Sequence, residues 1–283
     1  MTKPISFVDD LFIVIVLFQQ SLAECASYKS LIKARGHVGE FPALMIYDNS
    51  PEALNWKSRP SEVIYVHNLS NPGVSKAYNE AHKVASQLNK KWLLLVDQDT
   101  EFPKTIFSDY SNAIKKYPQI NVFTPSLFDS RGLISPFQLQ WGKGSRITSL
   151  NSTIYSFTHF KIINSGMLIS TDAFKKAGGY NERFPLDYSD IAFLDRVSNH
   201  EPDFVLIASR CPHHFSATKK ISDLLADLDR FKSFCEATRL YKKTSIQTVI
   251  LTWIILPRAL KLSFQMKDTR FLRIGIDHII QTE

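Results

Sequence analysis

The sequence predicts an α/β fold: a doubly wound, mixed but mostly parallel sheet flanked by helices, with a helical C-terminal segment. Three observations carry this. Apolar runs at residues 11–18 and 92–96 are unbroken, as in strands buried on both faces. Strand-like and helix-like stretches alternate through the first hundred residues. Acids follow the apolar runs directly, at Asp48 and at Asp97 and Asp99, and open α/β sheets bind ligands beyond the carboxyl ends of their strands.

The elements follow in order. Residues 11–18 read as the first strand, and 22–32 as a helix after the polar loop Gln19-Gln20-Ser21. Residues 43–47 are the second strand. It ends at Asp48-Asn49-Ser50-Pro51, where Ser50 and Pro51 read as the N-cap and first-turn proline of a helix. Residues 62–67 are the third strand. Asn71-Pro72-Gly73 then opens a helix in which Val74, Ala77, Tyr78, Ala81, Val84, Ala85 and Leu88 recur at helical spacing. That helix leads into the strand at 92–96. Phe102-Pro103 starts another, with Ile106, Phe107, Tyr110, Ala113, Ile114 and Tyr117 on one face.

Residues 121–128 form a further strand, while 129–158, rich in Gly and Ser, show no periodicity that assigns them. Residues 160–170 read as a strand containing Asn164-Ser165-Gly166. Thr171 caps a short helix, which Gly178-Gly179 ends in left-handed backbone. A helix follows Asp190, and a strand spans 204–209. Residues 221–241 form a long helix lined by Ile221, Leu224, Leu225, Leu228, Phe231 and Phe234.

The 283 residues can bury a large core, and 44% hydrophobic with 22% charged residues is ordinary for a soluble globular chain. The net charge of +7 favours anionic partners: nucleotides, nucleic acid or an anionic membrane. No basic stripe with interleaved aromatics is present, so no nucleic-acid partner is expected. Cys25, Cys211 and Cys235 have no metal-type spacing. Their odd number, without a signal peptide, predicts reduced thiols and a cytoplasmic location.

Alternate residues of an extended strand point the same way, so Asp97 and Asp99 are expected on one side of the strand end. There they can share a hard cation, or divide a metal and a sugar hydroxyl between them. Mg²⁺ is typically held by one or two carboxylates plus substrate phosphates. Two acids ending a strand in a polar loop are an equally good reading of an isolated Asp-x-Asp, so the surrounding motifs decide.

The ordered set is Asp48-Asn49-Ser50, Asn71-x-Gly73-x5-Asn79, Asp97-Gln98-Asp99, Ser165-Gly166, Gly178-Gly179-Tyr180-Asn181-Glu182, Asp187-x-x-Asp190 and His213. It resembles the family 2 glycosyltransferases, which have the GT-A fold, and among them the bacterial rhamnosyltransferase-like members. The resemblance covers about residues 8–240. It implies an inverting, metal-dependent transferase that moves a sugar from a nucleotide sugar to a hydroxyl of a glycan or lipid-linked saccharide. Departure of the nucleoside diphosphate develops negative charge that a divalent cation neutralises. A carboxylate that takes the acceptor's proton contributes about 10²–10⁴-fold. One base and one displacement invert the anomeric centre.

The same resemblance implies roles for individual residues. Asp48 would contact the base, and Asn71, Gly73 and Asn79 would line the nucleotide pocket, with Phe18, Gln19 and Gln98 beside them. Phe18-Gln19-Gln20 departs from the family's Tyr-Asn-type strand ending. Asp97 would hold the ribose side and Asp99 the Mg²⁺ or Mn²⁺, with His213 or His214 completing the metal shell. Ser165 and Gly166 would face the donor or acceptor sugar. Asp190, with Asp187 as the alternative, would be the general base. Asp97-Gln98-Asp99-Thr100 is similar to the Asp-Gln-Asp-Ser of transferases using dTDP-L-rhamnose, with Thr100 in place of serine.

Two readings compete. One is a non-catalytic nucleotide-sugar-binding protein of the same fold, against which Asp97, Asp99 and Asp190 are all intact. The other is a haloacid-dehalogenase-type phosphatase, whose Asp-x-Asp-x-Thr fails here at Glu101. Residues 1–220 are expected to form the transferase domain and 221–283 a helical extension packed on it. Within that extension, 246–256 is apolar but too short to span a bilayer, and Pro257 follows. Arg258, Lys261, Lys267, Arg270 and Arg273 supply cations for loose contact with the inner face of the cell membrane. The competing expectation there is a core helix with a solvated basic tail.

Overall fold

Every residue of β1 (Leu11–Leu17) is buried. Leu11, Ile13, Ile15 and Leu17 enter one core, and Phe12, Val14 and Val16 the other, because successive side chains leave a strand on opposite faces. The strand therefore needs apolar residues at all positions, which explains its unbroken run. These coordinates are a computed structural model that describes residues 7–35, 41–56, 60–140, 143–214, 224–241 and 247–280.

Along the chain, β1 leads to α1 (Ala26–Arg35), β2 (Ala43–Asp48), β3 (Val63–His67), α2 (Val74–Gln87), β4 (Trp92–Asp97), α3 (Ile106–Lys116) and β5 (Val122–Asp129). Four short strands follow: β6 (Gly132–Ser135), β7 (Phe137–Gln140), β8 (Lys143–Arg146) and β9 (Ile154–Ser156). Then come β10 (Met167–Ser170), α4 (Thr171–Lys176), α5 (Ser189–Val197), β11 (Asp203–Pro212), α6 (Leu224–Leu240), α7 (Gln247–Met266) and α8 (Arg270–Ile280).

Among the described residues one mixed sheet has the order β3-β2-β1-β4-β10-β5-β11-β9, with β6 on β5. β1 to β4 run parallel, β10 lies antiparallel to both β4 and β5, and β11 is parallel to β5. The register aligns Leu17 with Asp48, Asp48 with His67, and Val16 with Asp97. The carboxyl ends of β1, β2, β4, β5 and β11 thus share one edge.

Several expectations change. α1 starts at Ala26 rather than at residue 22, because a turn joins Ser21 O to the Cys25 N–H. Ser50 and Pro51 start no helix: the Ser50 N–H is taken by Asp48 Oδ1, and its Oγ accepts the Gln19 N–H. α3 starts at Ile106, a turn after Phe102-Pro103. The strand expected over 160–170 is only β10, since Gly166 at φ +83° turns the chain just before it. The cap of α4 is Ser170, whose Oγ accepts the Ala173 N–H, rather than Thr171. Residues 129–158 contribute β6 to β9, and Asp129 pairs with Arg146.

α6 is described over Leu224–Leu240; Ile221 lies outside the described residues, and Leu225 is 62% exposed, so its buried face includes Leu228, Phe231 and Phe234. Pro257, which follows the apolar run 246–256, sits inside α7. Cys25, Cys211 and Cys235 are free and buried, and burial pushes their thiols up to about 11, 12 and 12. No helix among the described residues is long and apolar enough to cross a membrane.

The chain divides into two compact units. The first comprises Met1–Gln138, Arg146–Pro185 and Ser189–Ser216, and holds the sheet. The second comprises Leu139–Ser145, Leu186–Tyr188 and Ala217–Glu283.

Candidate functional site

The Asp-x-Asp segment is a turn and not the end of an extended strand. β4 stops at Asp97, Gln98 and Asp99 turn, and Thr100 bridges to His213. Asp97 and Asp99 therefore do not alternate along one strand face as period-two spacing predicts. Ser27, in the first turn of α1, braces this turn. Its Oγ lies 2.5 Å from Asp97 O and 2.9 Å from Thr100 O, and accepts the Thr100 N–H at 3.0 Å. Gln98 Oε1 accepts the Phe18 N–H at 2.8 Å, which joins the ends of β4 and β1.

Asp97 points inward. Tyr78 OH donates to its Oδ1 at 2.7 Å, and its N–H donates to Ser165 Oγ at 3.1 Å. Burial raises its carboxyl above the usual range, and the Tyr78 hydrogen bond opposes that rise. Burial also pushes the Tyr78 and Tyr180 phenols well up, and the nearby charges of Asp97 and Asp190 push both further. These four residues share one electrostatic environment. Tyr180 is fixed there by stacking on Phe193 at 4.0 Å and by donating to Asn164 Oδ1 at 2.6 Å. Asp190, half-buried in the first turn of α5, accepts the Ile191 N–H at 2.8 Å.

Asp99 lies against the end of β11. Its carbonyl accepts the His214 N–H at 2.8 Å, while the Glu101 N–H donates to Pro212 O at 2.8 Å. His213 is 5% exposed, and its Nδ1 is 2.8 Å from Thr100 Oγ1, itself 2.7 Å from Ser165 Oγ. Burial favours the neutral ring, against the pull of the Asp99 charge. With Nδ1 engaged by Thr100, Nε2 is the nitrogen that would meet a metal. His214 is exposed, with Nε2 3.4 Å from Glu101 Oε1. Of the two histidines, His213 has the fixed ring beside Asp99.

Among the described residues no group of three His, Cys, Asp or Glu side chains could hold a metal by itself. One carboxylate and one neutral imidazole do fit a divalent cation that takes its remaining ligands from substrate phosphates.

No protein-family model matches the chain, and no curated protein matches it in sequence. Solved structures do match. GalNAc-T7 with UDP, GalNAc and Mn²⁺ superposes with a TM-score of 0.56 at 14% identity, over 95% of this chain and 54% of that one. S. aureus TarS 1-349 in complex with UDP-GlcNAc gives 0.51 at 13%, over 86% and 66%; its complex with UDP gives 0.50 at 11%, over 95% and 90%. The fold is GT-A. At these identities the likeness is one of fold alone, and this chain spans about half the length of the GalNAc-T7 chain.

On this GT-A sheet several residues expected to touch ligand instead build the site's walls. Asp48 is 0% exposed: Oδ1 accepts the Ser50 N–H, and Oδ2 accepts Tyr65 OH at 2.7 Å and the Leu54 N–H at 3.3 Å. Without accessible surface it shapes the loop after β2 and cannot touch a base in this conformation. Ser165 is also 0% exposed and supports the Asp97–Thr100 turn from behind, so it cannot face a sugar. Gly166 is needed for its φ of +83° and because a Cβ would lie 2.8 Å from Pro125 Cγ. The half-buried Asn79 amide holds Tyr180 by both backbone groups, at 2.9 and 2.7 Å.

Phe18 is 42% exposed where β1 ends, followed by Gln19 at φ 50°. Asn71 is exposed at φ 46°, its N–H donating to Asn68 O. In the second unit, Asp187 is gripped by the Arg230 guanidinium at 2.5 and 3.2 Å.

Ser27 and Tyr78 are the residues sequence reasoning missed. Tyr78 was visible only as one apolar position of α2, and nothing in the sequence marks Ser27.

Gly73 has a structural reason of its own. At φ +86°, a Cβ would come within 2.0 Å of Pro185 O, and the next residue's N–H bonds that same carbonyl at 2.8 Å. Gly73→Ala is expected to cost about 2–5 kcal/mol from left-handed strain and overpacking. Urea unfolding measures this, and stability equal to the parent would refute the close approach.

Proposed function

We propose that this chain is a glycosyltransferase that inverts the anomeric centre of a nucleotide-sugar donor, with Mg²⁺ or Mn²⁺, onto a hydroxyl of a glycan or lipid-linked saccharide. The observation that carries the reading is the braced turn at the carboxyl end of central β4. It sets Asp97 inward on Tyr78 and zips Asp99 to the strand end bearing His213. The GT-A neighbours support it: GalNAc-T7 was solved with UDP and Mn²⁺, and TarS with UDP-GlcNAc. The phosphatase reading loses its support, since β4 is the fourth strand in sequence and borders an antiparallel strand in a GT-A sheet.

Asp99 and His213 would hold the cation, which when bound neutralises charge on the departing diphosphate. Asp97, fixed by Tyr78, would hold the ribose side, with Phe18, Gln19, Gln98 and Asn71 at the rim of the nucleotide site. Asp190 would take the acceptor proton. Its position in the first turn of α5 gives it a fixed backbone, whereas both oxygens of Asp187 accept from Arg230.

The donor we propose is dTDP-L-rhamnose, on the similarity of Asp97-Gln98-Asp99-Thr100 to the motif of enzymes using it. A thermal-shift panel of dTDP-L-rhamnose and UDP-hexoses, with and without metal, tests this. Saturation to about 100 times Kd stabilises the native state by about 2.7 kcal/mol. A metal-dependent rise with dTDP-L-rhamnose and rhamnosyl transfer are expected. A response confined to a UDP-hexose would refute the donor, and binding without transfer to any acceptor would favour the non-catalytic reading.

A further inference from the structure

α7 buries one face and leaves a second apolar face open. Ile255 and Ala259 are 0% exposed, yet Val249 is 66% exposed, Trp253 63%, Leu260 52% and Phe264 86%. At 100° and 1.5 Å per residue, these four and Leu256 fall within an arc of about 80° along about 22 Å of helix. A helix apolar all round is ordinarily buried. An uncovered stripe of this length marks a surface that something else covers.

The charges around the stripe say what. Exposed Lys267 follows directly after the last residue of α7, at φ 51°, and exposed Lys261 borders the stripe. Between residues 242 and 276 the chain carries seven Lys or Arg and a single acid, Asp268, which is already paired with Arg270. A second copy docked on this face would bring like charges together. An anionic surface neutralises them while taking up the apolar stripe. An apolar arc with an exposed Trp and flanking cations is the pattern of helices that lie in the plane of a bilayer interface.

We propose that α7 docks flat on an anionic lipid surface through Val249, Trp253, Leu256, Leu260 and Phe264, with Lys261 and Lys267 at the headgroups. This stands on α7 alone and is independent of the transferase reading. The test is flotation of the full chain with vesicles of phosphatidylcholine alone and with one-third phosphatidylglycerol. Binding to the anionic vesicles only, weakened by added salt, is expected. Lys261→Gln with Lys267→Gln is expected to lower affinity about 30-fold, at about fivefold per cation. Trp253→Glu with Phe264→Glu is expected to abolish flotation, with an unchanged melting curve because both side chains are exposed. Absence of flotation with anionic vesicles, or flotation of the Glu double variant equal to the parent, would overturn the proposal. So would a dimer, seen by light scattering, that Trp253→Glu dissociates in a chain that binds no vesicles.

Discussion

Asp99→Ala is expected to abolish metal-dependent transfer, with kcat/KM falling at least about 10³-fold. The reason is the small number of protein ligands. Among the described residues no three-ligand cluster exists, and on the proposed assignment His213 would be the other protein ligand. Removing the carboxylate leaves one neutral imidazole, too few donors to hold a divalent cation against a diphosphate. The fold should survive, because it is the Asp99 carbonyl that accepts the His214 N–H, and alanine keeps that bond. Transfer assays with a metal titration, beside a thermal melt, check both halves. Full activity of the variant in excess chelator would sink the metal assignment.

The second large effect is expected at Asp190. As the general base, its replacement by Asn should lower turnover by about 10²–10⁴-fold while nucleotide affinity persists. Asn keeps an Oδ1 that can accept the Ile191 N–H, so the start of α5 should hold. If Asp190 served only the helix dipole, Asp190→Asn would cost about 0.3–1 kcal/mol of stability and leave turnover intact. Asp187→Asn is the control. It removes an ion pair whose Arg230 side chain is 43% exposed, worth about 1 kcal/mol or less after solvent screening. Near-normal turnover in the Asp190 variant, or a collapse confined to the Asp187 variant, would reverse the assignment.

Much of the site's address was legible in the sequence. Asp97 and Asp99 follow five apolar residues, and such a run suits a strand with a core on each face, as β4 is. Their spacing did not reveal the geometry, because Ser27 and His213, which close the turn, lie more than seventy residues away in sequence. The same distance problem hid the buried state of Asp48 and Ser165. Their residue types suit ligand contact, and only their partners Tyr65 and Thr100 show that their oxygens serve the protein.

Sequence by itself determined what depends on local chemistry: the two-faced strands, the amphipathic period of α2 and α3, the left-handed glycines after α4, and the acids at strand ends. The tertiary structure decided what depends on pairing across the chain. β10 is four residues long and gains its place from antiparallel partners on β4 and β5; β6 and β9 exist through their pairing with β5 and β11. Short segments with few side chains per face have no period to read, since their order is supplied by a neighbour's backbone hydrogen bonds and not by their own pattern. The partner of Asp187 belongs to the same class: nothing near the Asp-x-x-Asp motif shows that Arg230, forty-three residues later, pairs with its first acid.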